Sequence, residues 1–159
     1  APQGHQGHCA RALVAQDLSA VTAACLAIRR DRYFEVGGLD ERLQVAFNDV
    51  DFCLRLLEAG YRNVWTPFAE LLHHESASRG RDEDGPGRER FLGEARYMDA
   101  RWSEWLHADP AWNPNLSLDT LDASPAFPPR AATRPRPARG RVIGREGISR
   151  PGRRVPLAR

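Results

Sequence analysis

Apolar side chains recur at steps of three and four in two stretches of the chain, and the spacing predicts a helix in each. In residues 48–60, Val50, Cys53, Leu54 and Leu57 fall on one face, Asn48 suits the N-cap and Gly60 supplies a stop. In residues 88–107, Phe91, Ala95, Met98, Trp102, Trp105 and Leu106 form a stripe that Asp109-Pro110 ends. Such an aromatic stripe is more often packing than a platform for sugar rings. A shorter helix is expected over residues 31–36, ended by Gly37-Gly38. Alternation and aromatic content mark residues 61–66 as a strand stopped by Pro67, with residues 70–75 a second short strand. Residues 19–30, small and β-branched and then apolar, fit a buried strand, although their period does not exclude a helix.

The ends carry no such pattern. Residues 1–10 are rich in Gly, Gln and His and read as a flexible leading segment. Residues 81–87 form a charged, turn-rich loop, and from Ser124 onward Pro and Arg dominate, which predicts a disordered tail. The expected organisation is a flexible segment over 1–18, a folded unit over 19–123 and a disordered tail over 124–159.

Charge sharpens this division. The formal net charge of the 159 residues is only +2, yet residues 1–123 hold 13 Arg against 20 acids and residues 124–159 hold 10 Arg against Glu146 alone. The tail has no aromatic interleaving beyond Phe127, which argues against nucleic acid and leaves peripheral contact with an anionic membrane surface. Cys9, Cys25 and Cys53 are odd in number and lack metal-site spacing. Cys25 and Cys53 lie in apolar runs and are expected as buried free thiols. No apolar stretch is long enough to cross a bilayer and none reads as a signal peptide. The expected location is cytoplasmic, extending to the inner face of the plasma membrane.

Candidate chemistry gathers around the 48–60 helix. Asp49 and Asp51 occupy its first turn, where carboxylates suit the positive end of the dipole and where helix capping alone would explain them. Gly37-Gly38 serves equally as a helix C-cap or as a turn whose N–H groups face a ligand. His73 and His74 point to opposite faces if residues 70–75 are a strand, so only one can enter a given site. Ser78 and Arg79 follow in a loop where a guanidinium can pair with a diphosphate.

Together the motifs GGLDERL, NDVDFCLRLLEAGY, TPFAELLHHESASRG and DPAWNPNLSL, in this order, closely resemble the C-terminal half of family 2 glycosyltransferases of the GT-A fold. The rhamnosyltransferase-like members that build bacterial surface polysaccharide are the most similar, and the resemblance spans residues 19–118. It implies an α/β fold: an incomplete GT-A, its acceptor-side half, with a long amphipathic helix and the tail. It further implies inverting transfer of a sugar from a nucleotide-sugar donor to a hydroxyl of a glycan or lipid-linked saccharide acceptor. In that scheme Asp49 is the base and Asp51 supports the site or holds the acceptor. Gly37, Gly38 and Asp40 border the acceptor sugar, and Ser78 and Arg79 bind substrate. One histidine, His73 first and His74 otherwise, helps bind the divalent metal, Mg or Mn. Thr22-Ala23-Ala24-Cys25 stands where the family reads Thr-Gly-Ala-Cys on the floor of the site, with Ala23 replacing Gly. The family's nucleotide-binding half with its Asp-x-Asp motif would precede Ala1, so the chain alone is expected to be an inactive fragment. A non-catalytic binding module with a basic tail is the alternative. A metal-dependent hydrolase using Asp49, Asp51, His73 and His74 lacks any recognised ligand spacing.

Overall fold

The computed structural model describes residues 6–71, 87–120 and 123–128. Its elements in chain order are β1 (Gln16–Leu18), α1 (Arg30–Glu35), α2 (Asn48–Glu58), β2 (Asn63–Trp65) and α3 (Arg88–His107). Short 3-10 turns at His8–Leu13 and Ala23–Cys25 complete them. Three helices and a two-stranded sheet give a mixed α/β arrangement among the described residues.

α2 and α3 form the core. Leu43, Leu54, Met98 and Trp102 are buried together, with Phe47, Val50, Leu57, Tyr97 and Trp105 packed around them. The apolar face read from α2 is too narrow, because Phe52 and Leu56 are also buried, at 1% and 5% exposure. Phe52 meets Tyr33 of α1, ring centroids 5.3 Å apart, so α2 packs against α1 as well as α3. Burying a side chain of that size stabilises the fold by about 1.5–3 kcal/mol.

Both α1 and α2 end in the same way. Gly37 (φ 82°) and Gly60 (φ 87°) adopt the left-handed conformation just past each helix. Gly38 N–H then reaches Tyr33 C=O at 2.9 Å, and Tyr61 N–H reaches Leu56 C=O at 2.9 Å. These six-to-one bonds close the last turns as Schellman motifs. The start of α2 differs from expectation. The residue before it, Phe47, is left-handed (φ 63°), and no side chain caps the helix, so Asn48 is its first residue rather than a capping acceptor.

β1 and β2 pair antiparallel in the register Gln16↔Trp65, Asp17↔Val64 and Leu18↔Asn63. The partner of the 61–66 strand therefore precedes Ser19. Residues 19–30 form no strand: after Thr22 they make the turn Ala23–Cys25 and run irregularly into α1. Thr22 Oγ1 accepts the N–H of Ala24, a local bond that competes with strand pairing. Cys25 is consequently exposed, whereas Cys53 is buried as expected. The buried Asn63 amide ties the sheet to α2 by donating to Ser19 C=O (3.1 Å) and Cys53 C=O (3.0 Å).

Beyond α3, Ser117 N–H donates to Ser124 C=O and Ala126 N–H donates to Asn115 C=O, both at 2.8 Å. Residues 124–126 thus pair with 115–117. None of the described helices is long and apolar enough to cross a membrane.

Candidate functional site

Residues two apart on a helix face different directions, so Asp49 and Asp51 cannot serve the same pocket. The structure separates them accordingly. Asp49 is partly exposed on the side of α2 that faces the Ala23 turn. Its Oδ2 accepts the N–H of Ala23 at 3.1 Å and its Oδ1 accepts the N–H of Val50 at 2.9 Å. Around it Thr22, Ala23, Ala24 and Cys25 are all exposed, so this end of α2 opens onto solvent. Just beneath, Cys53 Sγ contacts the backbone of Val21, and burial pushes its thiol pKa up.

Asp51 is wholly enclosed, at 0% exposure. Its Oδ1 accepts the indole N–H of Trp102 at 2.9 Å, and its Oδ2 accepts Arg55 Nε at 2.8 Å. Arg101 Nη1 lies 3.2 Å from the same carboxylate. The carboxylate is thus held inside the core by two hydrogen bonds and an ion pair. Its burial accords with the supporting alternative read for Asp51 rather than with the acceptor-holding one.

Asp40 belongs to the same network. Its carboxylate receives Arg42 Nη2 (2.8 Å), the Tyr97 hydroxyl (2.8 Å) and Arg101 Nη1 (3.2 Å). The Arg42 guanidinium in particular holds its pKa far below the ordinary carboxylate range. Arg101 therefore bridges Asp40 and Asp51, and Arg55 Nη1 donates to Val36 C=O at the start of the glycine turn. Gly37 and Gly38 direct their N–H groups to Phe34 C=O and Tyr33 C=O. Both N–H groups thus cap α1. Asp40, saturated by cations of its own chain, anchors this loop to α3.

Glu94 went unnoticed in the sequence. It is 4% exposed, and its carboxylate accepts three consecutive backbone N–H groups: Gln44 (3.0 Å), Val45 (3.3 Å) and Ala46 (2.8 Å). This fixes the loop that leads into α2 and hence the direction of Asp49. The available signal was an acid on the core face of α3, three residues after Phe91 and four before Met98. Arg55, four residues after Asp51, was legible as an ion-pair spacing.

Of the remaining candidates, His73, His74, Ser78 and Arg79 lie outside the described residues. Among the described residues no three His, Cys, Asp or Glu side chains converge to hold a metal ion.

Comparison with known proteins places these motifs. No family model matches the chain, and no solved structure matches it. An uncharacterized protein of Sinorhizobium fredii is 53% identical over 122 residues, 76% of this chain and 13% of that protein. The O-antigen biosynthesis protein RfbC of Myxococcus xanthus is 42% identical over 64% of this chain and 8% of its own length. The N-acetylglucosaminyl-diphospho-decaprenol L-rhamnosyltransferase of Mycobacterium tuberculosis is 36% identical over 62% of this chain and 32% of its own. The chain thus spans a third or less of the curated relatives it matches. Over 104 and 98 residues it is similar to segments of an O-antigen biosynthesis protein and of a rhamnosyltransferase, a glycosyltransferase-like relationship.

Proposed function

We propose that the chain supplies the acceptor-side half of an inverting glycosyltransferase of the GT-A type, with Asp49 as the general base. Asp49 takes the proton from an acceptor hydroxyl as that oxygen forms its bond to the anomeric carbon. The bond from that carbon to the nucleotide diphosphate breaks, and the leaving group carries away the electron pair. One observation supports the reading above others: the Ala23 N–H to Asp49 bond joins the Thr22–Cys25 segment and the start of α2 at an open surface. Among the described residues each carboxylate oxygen of Asp49 accepts one N–H, which leaves each capacity for a further hydrogen bond. Asp51, Arg55, Arg101, Trp102 and Glu94 act as positioning residues that fix α2 and the loop before it.

The relatives' names suggest a nucleotide-activated deoxyhexose such as L-rhamnose as donor and a diphospho-prenol-linked saccharide as acceptor. The expected Mg or Mn is a proposal that concerns His73 or His74 and the donor diphosphate alone. Cytoplasmic placement at the inner membrane face, where such lipid-linked acceptors are met, completes the proposal.

A second reading, a non-catalytic module, has one observation in its favour: both Asp49 oxygens already bind backbone N–H groups, as a purely structural residue would. Sugar transfer by the complete enzyme, compared between wild type and Asp49→Asn, separates the two. A calorimetric titration with Mn and nucleotide diphosphate adds a second discriminator, since a non-catalytic module gives no metal-dependent heat.

A further inference from the structure

Three of the four tryptophans of the chain, Trp65, Trp105 and Trp112, line one cleft of about 500 Å3 between the sheet, the end of α3 and the segment that follows it. Each is only partly buried, while the fourth, Trp102, is sealed in the core on Asp51. The volume is that of small-molecule sites, which run from about 300 to 1,000 Å3 with mostly apolar walls and a few placed polar groups. Its polar lining is Arg11, Gln16, Ser19 and Asp109. The Arg11 guanidinium lies 5.7 Å from the Trp112 ring centre, and its Nε donates to Gln16 at 3.0 Å. Its terminal nitrogens make no hydrogen bond among the described residues. Asp109 Oδ1 accepts the Ser19 hydroxyl and the N–H of Ala111, while Oδ2 has no hydrogen-bond partner among the described residues.

We propose that this cleft is a saccharide subsite that seats a pyranose ring against its indole walls. A pyranose offers an apolar C–H face and a rim of hydroxyls. Indole rings take the first, while Arg11 donates to and Asp109 accepts from the second. A pure hydrocarbon chain would cover the Arg11 terminal nitrogens and Asp109 Oδ2 while offering them no hydrogen bond, at a desolvation cost. A bare anion would leave the indole walls unused and meet the charge of Asp109. Val50 lines the cleft while its neighbour Asp49 faces Ala23, so the subsite flanks α2 apart from the proposed base. The inference does not depend on the role of Asp49.

The test is intrinsic tryptophan fluorescence of the full 159-residue chain. It is titrated with methyl glycosides of glucose, galactose, mannose, N-acetylglucosamine and a 6-deoxyhexose, with farnesyl phosphate and uridine monophosphate as the other arms. A saturable response to at least one glycoside is expected, weakened about three- to tenfold in Trp112→Ala and largely kept in Trp112→Phe. Asp109→Asn weakens the same response without removing an aromatic wall, and carries the test if circular dichroism shows Trp112→Ala unfolded. Absence of a saturable response to every glycoside overturns the proposal. So does a response confined to farnesyl phosphate or uridine monophosphate, or glycoside binding unchanged in both Asp109→Asn and the folded Trp112 variants.

Discussion

The indole N–H of Trp102 donates to Asp51 Oδ1 at 2.9 Å, a bond between α3 and α2 in which both residues are buried. Asp51 is thereby the hub of the core's polar network rather than a surface acid. Removing its carboxylate leaves the enclosed Arg55 with the Val36 C=O but no counter-charge, and breaking a buried pair in this way costs about 3–5 kcal/mol. Asp51→Ala should lower the urea midpoint by a corresponding amount. Trp102→Phe, which removes one donor and leaves both arginines, should cost about 1–3 kcal/mol.

Glu94 holds the approach to α2 through three backbone N–H groups. Glu94→Gln removes the charge and replaces one accepting oxygen by a donor facing donors. A loss of about 1–3 kcal/mol is expected. Faster amide hydrogen exchange confined to Gln44, Val45 and Ala46 would locate the effect; unchanged exchange at all three would contradict it.

The glycine turn separates capping from ligand binding. A Cβ at Gly38 (φ 69°) would lie 3.0 Å from the Tyr33 ring, whereas one at Gly37 (φ 82°) meets open space. Gly37→Ala should cost only the left-handed strain, about 1–2 kcal/mol, and Gly38→Ala more, both read by thermal melting. If the turn is a cap, Gly37→Ala leaves the acceptor KM unchanged in the complete enzyme. A large rise in KM with little change in stability would restore the ligand role.

Asp40 gives the fold a pH dependence of definite sign. Its folded-state pKa is depressed below the ordinary 3.8, chiefly by the hydrogen bond from Arg42. A depressed carboxylate contributes stability that is complete above its unfolded pKa and is lost as pH falls toward the folded one. Unfolding free energy should therefore be flat in this component above about pH 5 and decline below about pH 4. In Asp40→Asn the decline should be shallower; an identical acid profile would show that the Asp40–Arg42–Arg101 cluster contributes nothing to the folded state.

The helices were legible because their signals are local. The stripe of α3 and the glycines after α1 and α2 mark those elements within a few residues, and the observed bounds of α3 coincide with the expected ones. The 19–30 run misled because an apolar stretch does not say whether a partner strand is free, and β2 pairs with Gln16–Leu18 instead. The polar core stayed hidden for a similar reason. Glu94 meets Gln44, and Trp102 meets Asp51, at separations of 50 and 51 residues, which no local period reports. Asp49 and Asp51 looked equivalent as first-turn acids, and only the packing of α3 on one side of α2 distinguishes them.

The most direct test of the account is the rate of sugar transfer by the complete enzyme carrying Asp49→Asn, assayed with a nucleotide-activated rhamnose and a diphospho-prenol-linked saccharide. Asparagine keeps an oxygen for the Ala23 N–H but cannot take a proton. The account predicts a rate lowered by about 10²–10⁴-fold with an unchanged melting midpoint. Transfer within about threefold of wild type, a difference of less than 1 kcal/mol in the barrier, would contradict it.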